Sequence, residues 1–231
     1  MNSEQNQEIR KENKGNHISE SFHLAAILAI IGGYMDAYTY LARGKVFANA
    51  QTGNIVLLGI KIMDGKFIET SKYLVAIVAF VIGIFVAEMI HAKHSTYKRI
   101  TWQQIILLIE ILALFITAFL PIGSMDIAAN TIISFVSALQ MGSFRYVNGN
   151  AFVSTMCTGN LRSGTVCLYQ YIFKKNQDMK NKWIHYYGII LFFIAGAALG
   201  AWITHQISGY AIMGCCLLLS IVNWQIREKK L

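Results

Sequence analysis

The chain has 231 residues, of which 55% are hydrophobic and only 14% charged, and its mean hydropathy is +0.46. Soluble domains carry roughly a quarter charged residues, so the composition excludes one and specifies a membrane protein. The net charge of +8 does not point to nucleic acid, because the lysines and arginines gather between apolar runs, where the positive-inside rule puts them.

Residues 1–21 are polar and mixed in charge, too polar for the apolar stretch of a signal peptide, and read as a cytoplasmic tail. A first apolar helix is predicted over 22–41, uninterrupted until Asp36. A polar loop ending in Thr52-Gly53-Asn54 leads to a short apolar run, 55–63, closed by Asp64-Gly65. Helices follow at 73–91 and 102–120, separated by a basic loop (Lys93, Lys98, Arg99) and stopped by Pro121 to Ser124. A helix over 126–146 and a second polar loop ending in Thr158-Gly159-Asn160 precede another short run, 161–173. Lys174, Lys175, Lys180 and Lys182 form a second basic loop, after which come a helix over 183–204, a neutral turn at 205–209 and a last helix ending at Trp224.

The two Thr-Gly-Asn stretches lie 106 residues apart, and at the same offset Ile27 meets Ile133, Met35 meets Met141 and Tyr40 meets Tyr146. A gapless self-match of this length marks an internal repeat, with units at 22–121 and 122–226 between tails at 1–21 and 227–231. Crossing a bilayer as a helix takes ~20 apolar residues, a length that the two short runs do not reach. The basic loops assign 93–99 and 174–182 to the cytoplasm, whereas 121–124 and 205–209 hold no Lys or Arg and belong outside. Only an odd number of crossings connects Pro121 to Lys174, so the run at 161–173 does not span, nor by the repeat does 55–63. The expected fold is therefore all-α: six transmembrane helices as two inverted three-helix repeats, each with a re-entrant loop and a short half-helix. Both termini are then cytoplasmic. Arg43, Lys45, Lys61, Lys66 and Lys72 run against the charge rule, since this scheme puts them outside.

Non-helical backbone at membrane depth belongs where it is buried in protein or lines a wet cavity. Gly53 and Gly159 permit a turn there, and Asn54 and Asn160 are expected to cap the returning half-helices. Two such helix starts, each slightly positive, would form one midplane site for a polar or anionic solute. Its expected members are Asp36, Thr52, Gly53, Asn54, Thr158, Gly159, Asn160 and Arg162. Asp36 reads either as a site carboxylate or as a tether for the first loop. Glu110 reads as a coupling group or as a partner for a neighbouring helix, Glu88 as an interfacial ion-pair partner, and Arg145 and Arg162 as anion contacts or snorkelling side chains. Small residues at Gly196 and Gly200, and at Ala79, Gly83 and Ala87, predict close helix packing. Cys157, Cys167, Cys215 and Cys216 show no metal-ligand spacing, and His91 and His94 lack acidic companions.

From Gly33-Tyr34-Met35-Asp36-Ala37 through Val46-Phe47 to Thr52-Gly53-Asn54, the sequence resembles the YoaK family of bacterial membrane proteins. That resemblance covers 22 to the C-terminal region and implies a bacterial cytoplasmic-membrane location; it supplies no activity and no catalytic residues. With neither a protease zinc motif, a phosphate-binding loop nor a nucleophile elbow, no enzyme, cofactor or metal is expected. The expectation is a transport protein, channel or carrier, whose partners are the lipid bilayer and an unidentified small solute, with homo-oligomerisation left open. The alternative is a non-transporting membrane protein for assembly, sensing or lipid interaction.

Overall fold

The structure, a computed structural model, describes residues 22–93, 101–144, 146–147, 150–151 and 157–228. The N-terminal tail, the tips of the first basic loop (His94, Lys98, Arg99), Arg145, most of the second polar loop and Lys229–Lys230 lie outside them.

Among the described residues the chain forms eight α-helices: α1 Phe22–Ala42, α2 Gln51–Met63, α3 Phe67–Lys93, α4 Trp102–Ala118, α5 Asp126–Ser143, α6 Cys157–Phe173, α7 Met179–Ile207 and α8 Met213–Glu228. A 3₁₀ turn, Ser208–Ile212, joins α7 to α8, and Tyr146–Val147 pairs antiparallel with Asn150–Ala151, a short ladder that periodicity did not predict. Three stretches are long and apolar enough to cross a membrane: Phe22–Ala42, Phe67–Ala92 and Met179–Ile226. At 48 residues the last would measure ~72 Å as one straight helix, more than twice a bilayer core, but Ser208 at φ 50° breaks it. The helix starts depart most from expectation: α2 and α6 begin four residues earlier than their apolar runs, and α3 six residues before Tyr73. Thr101 starts α4 with a reciprocal cap, its hydroxyl accepting from Gln104 N while Gln104 Oε1 accepts from Thr101 N.

Packing follows the small residues. On α7, Gly196 and Gly200 lie against the backbone of Ile30 and Tyr34 on α1, and Gly33 of α1 lies against Phe193 of α7. Phe22 stacks on His185 at 4.4 Å, so α1 and α7 run parallel. A second parallel seam joins α3 to α5, where a Cβ on Gly83 would stand 2.5 Å from the Phe135 carbonyl and one on Gly142 2.6 Å from Ala87 Cβ. Between the seams α4 and α8 cross antiparallel, Phe119 against Tyr210 and Cys216 against Ile111. Helix α2 also packs on α3, α6 on α7, α4 on α5 and α1 on α8, with a lighter contact between α1 and α5. Shifting every element by 106 residues carries α1 with α7 onto α5 with α3, and α2 with α3 onto α6 with α7. The set of packed pairs is thus unchanged when the halves are exchanged.

Val81, Phe85, Leu112, Leu191, Trp202 and Leu217 are exposed, while Asn54, Glu110, Ser134 and Gln140 are buried within a core otherwise built of apolar side chains. Large exposed apolar side chains of this kind are what a lipid-surrounded bundle presents.

One end of the bundle is fixed by a buried arginine. Arg43 donates from Nε to Tyr38 Oη at 2.8 Å, and through its terminal nitrogens to Thr117 O at 3.1 Å and Pro121 O at 3.3 Å. Asp126 Oδ1 stands 3.5 Å away, and Tyr38 Oη donates to Gly209 O. The ends of α1, α4 and α7 and the start of α5 therefore share one face. Lys72 near the start of α3 joins it by donating to Gly44 O at 2.7 Å.

Candidate functional site

From Arg43 the chain does not stay on that face. It doubles back alongside α1, and Asn49 donates from Nδ2 to Gly32 O at 3.2 Å and from its backbone to Asp36 Oδ1 at 2.7 Å. Gly32 precedes Arg43 by eleven residues, ~16 Å of helix. The return is α2, thirteen residues long, whose Lys61 meets Glu69 of α3 at 2.8 Å near the starting face.

The turn at the bottom of this excursion is built by side chains acting as backbone. Asn54 Oδ1 accepts from Phe47 N at 2.9 Å, and its Nδ2 donates to Phe47 O at 2.8 Å and Gln51 Oε1 at 2.9 Å. The carboxamide thus pairs with both backbone polar groups of Phe47, which would otherwise be left unbonded in the interior. Gln51 Nε2 donates in turn to Ala48 O. Gly53 is glycine because the Phe47 ring occupies the space, with a Cβ there only 2.8 Å from the ring; the ring itself stacks on Tyr40.

This corrects the capping role expected of the asparagines. Helix α2 starts at Gln51 after Ala50, with no side-chain cap, so Asn54 sits inside the first turn as a clasp. Asn160 holds the equivalent place in α6, 4% exposed.

Asp36 lies between the two helix starts. It is 5% exposed, and the backbone N–H groups of Ala48, Asn49 and Ala50 face it ahead of α2. The thiol of Cys157, first residue of α6, lies within electrostatic range of the same carboxylate. The N–H groups ahead of α2 are thus turned toward a carboxyl supplied by the chain itself, and the first residue of α6 comes near it. Asn49, missed in the sequence, is 5% exposed, and its Oδ1 has no hydrogen-bond partner among the described residues. A polar residue inside an otherwise apolar loop segment was the available signal.

The expected site residues separate into two groups. Asp36, Gly53 and Asn54 come together with Asn49 and Gln51, and Asn160 is buried in the first turn of α6. Thr52, Thr158, Gly159 and Arg162 are exposed on their helices. Glu110 stands apart at the α4–α5 contact, fully buried, with Gln140 Nε2 3.1 Å from each of its oxygens. Cys216, its mate at the 106-residue offset, lies within electrostatic range on α8. Arg43 was visible in sequence only as a misplaced charge; its partners show why it tolerates the position.

A family model described as "Protein of unknown function (DUF1275)" matches residues 24–224, and the chain belongs to that family. It is 29% identical over 149 residues to the UPF0700 transmembrane protein YoaK of Bacillus subtilis (strain 168). That alignment covers 61% of this chain and 64% of the relative, slightly under two thirds of its length. The resemblance expected from Asp36, Val46, Phe47 and Thr52-Gly53-Asn54 is the relationship found. No solved structure matches.

Proposed function

We propose that the protein is a carrier for a small polar solute, with its site at Asp36 between the starts of α2 and α6. The observation that carries this reading is a buried carboxyl that the backbone N–H groups ahead of α2 face, an expensive arrangement for a membrane protein to keep. It is supported by the packing that survives exchange of the halves, which suits two inverted three-helix units with re-entrant α2 and α6, six spans and cytoplasmic termini in a bacterial cytoplasmic membrane.

The anionic solute anticipated from sequence is given up. The loop N–H groups that would meet an anion already face the Asp36 carboxyl, whose oxygens, with the acceptor on Asn49, favour a neutral or cationic solute rich in donors. A carrier is preferred to an open channel because Asp36, Asn49, Asn54 and Asn160 are all buried at once. The test is stopped-flow swelling of proteoliposomes with glycerol, urea, methylammonium and formate. Protein-dependent flux of a neutral or cationic probe, lost in Asp36→Ala, is the expected result, and flux of formate alone would reverse the assignment.

A second reading, a non-transporting scaffold, draws on the same bonds, because the loop amides facing Asp36 also make it a tether. No flux of any probe, with folded protein, would favour it.

A further inference from the structure

We infer that the Arg43–Asp126 contact is a latch that keeps the Asp36 site closed toward the face where the first loop enters. The inference rests on the carrier reading above, because only an occluded site needs a closure that can open.

The loop that returns to Asp36 starts at Arg43, whose side chain is completely buried at the face where that loop begins. Its backbone is held too, with Asn130 Nδ2 donating to Arg43 O at 2.6 Å. The next residue, Gly44, has φ 77° and faces Asp126, whose Oδ2 lies 3.6 Å from where a Cβ would be. Asp126 is oriented by the Gly123 amide, 2.9 Å from its Oδ1.

The groups joined there come from both halves of the chain. Tyr38, Arg43 and Thr117 belong to the first repeat unit, whereas Asp126, Asn130 and Gly209 belong to the second. Separating the units at this face therefore means undoing this cluster. The ion pair is its weakest member by distance, at 3.5 Å, and its loss leaves the Arg43 bonds to Tyr38, Thr117 and Pro121 in place. The repeat supplies no second arginine, since the residue 106 positions after Arg43 is Gly149.

A reporter without a solute tests this. Ala48→Cys is placed beside Asp36 at a position 1% exposed, in a chain whose four cysteines are replaced by Ser or Ala. Lys66→Cys, exposed near the end of α2, is the control. A membrane-impermeant maleimide is applied from the side that labels the control. Asp126→Asn is expected to raise Ala48→Cys labelling about tenfold, with the control rate unchanged and the melting temperature well above the labelling temperature. Asn130→Ala, which frees the Arg43 carbonyl without removing charge, is expected to raise it less. It decides the matter if Asp126→Asn does not fold. Unchanged labelling in folded variants would make the cluster a static staple and overturn the latch. Because no solute is present, faster labelling alongside absent flux would sink the carrier reading and leave the closure standing.

Discussion

Helices α2 and α6 begin at equivalent residues, Gln51 and Cys157, and bury the same asparagine in the first turn, yet the long helix that precedes each differs at one position. On α1 that position is Asp36, bonded to the loop before α2. On α5 it is Gly142, which serves the seam with α3 by letting Ala87 approach. The two halves share a packing scheme and divide the chemistry: one carries the carboxylate, the other a bare backbone contact. Packing repeated twice sets the frame, and a carboxyl placed once makes the two halves chemically unequal.

The largest effects should come from the shared frame. A side chain at Gly196 would overlap the Ile30 backbone, which cannot move aside as a side-chain tip could. Gly196→Leu should therefore abolish folded yield or lower stability beyond the ~1–3 kcal/mol usual for overpacking. Gly142→Leu meets only the Ala87 methyl at first contact and should fall within that range. Detergent melting curves compare the two, and a Gly142 variant as damaging as the Gly196 one would mean that the seams are equally rigid.

Asp36→Ala attacks the unshared chemistry. It leaves the Asn49 amide, and with it the end of the loop, without an acceptor in the interior, which costs about 1–3 kcal/mol for each buried group left unmade. Gly142→Ala, at the matching position of α5, loses no hydrogen bond from a side chain. A lower melting temperature for Asp36→Ala with unchanged loop protection in hydrogen exchange would show that Asp36 does not tether the loop.

Asn54→Leu should come next, because it unpairs the Phe47 N–H and C=O together; about 2 kcal/mol is expected. Asn160→Leu should match it if α6 begins as α2 does. A loss confined to Asn54 would restrict the clasp to the first half. Both are measurable as melting-temperature shifts in detergent.

What was legible in the sequence was local or periodic. Apolar length gave the helices, small residues at one helical spacing gave the seams through Gly83 and Gly200, and the recurrence of Thr-Gly-Asn gave the two interior helix starts. The asparagines were misassigned because nothing in Gln51-Thr52 announces a helix start; the loop makes that turn worthwhile only once Phe47 is bonded from the side. The Arg43–Asp126 junction was hidden for another reason. Its partners are 83 residues apart on either side of Pro121, and each has an ordinary local reading as a loop charge or a first-turn acid. Only when α1, α4, α5 and the turn at Gly209 share one face does the arginine explain itself, and with it part of the excess positive charge there. Lys61 is likewise matched by Glu69, and Lys72 by a carbonyl.

The smallest effect should come from Glu110→Gln, where the halves also differ, since the repeat mate of Glu110 is Cys216. Glu110 is fully buried and its bonds come from the single nitrogen of Gln140, shared between its oxygens. A glutamine has the same shape and still offers one oxygen to that nitrogen, so the contact between α4 and α5 survives. A change of about 0–1 kcal/mol in stability is expected, the net worth of an ordinary hydrogen bond. Glu110→Ala removes the acceptor outright and leaves a cavity beside Gln140, so its cost should be clearly larger, about 2–4 kcal/mol. If Glu110 is only a helix-packing partner, proteoliposome flux in Glu110→Gln should match wild type at every pH. If it couples transport to protons, the amide, which cannot exchange one, should flatten the pH dependence of flux while the melting temperature stays put. A fall in melting temperature as large as that of Glu110→Ala would reject both, because it would require Glu110 to hold a charged partner that an amide cannot keep.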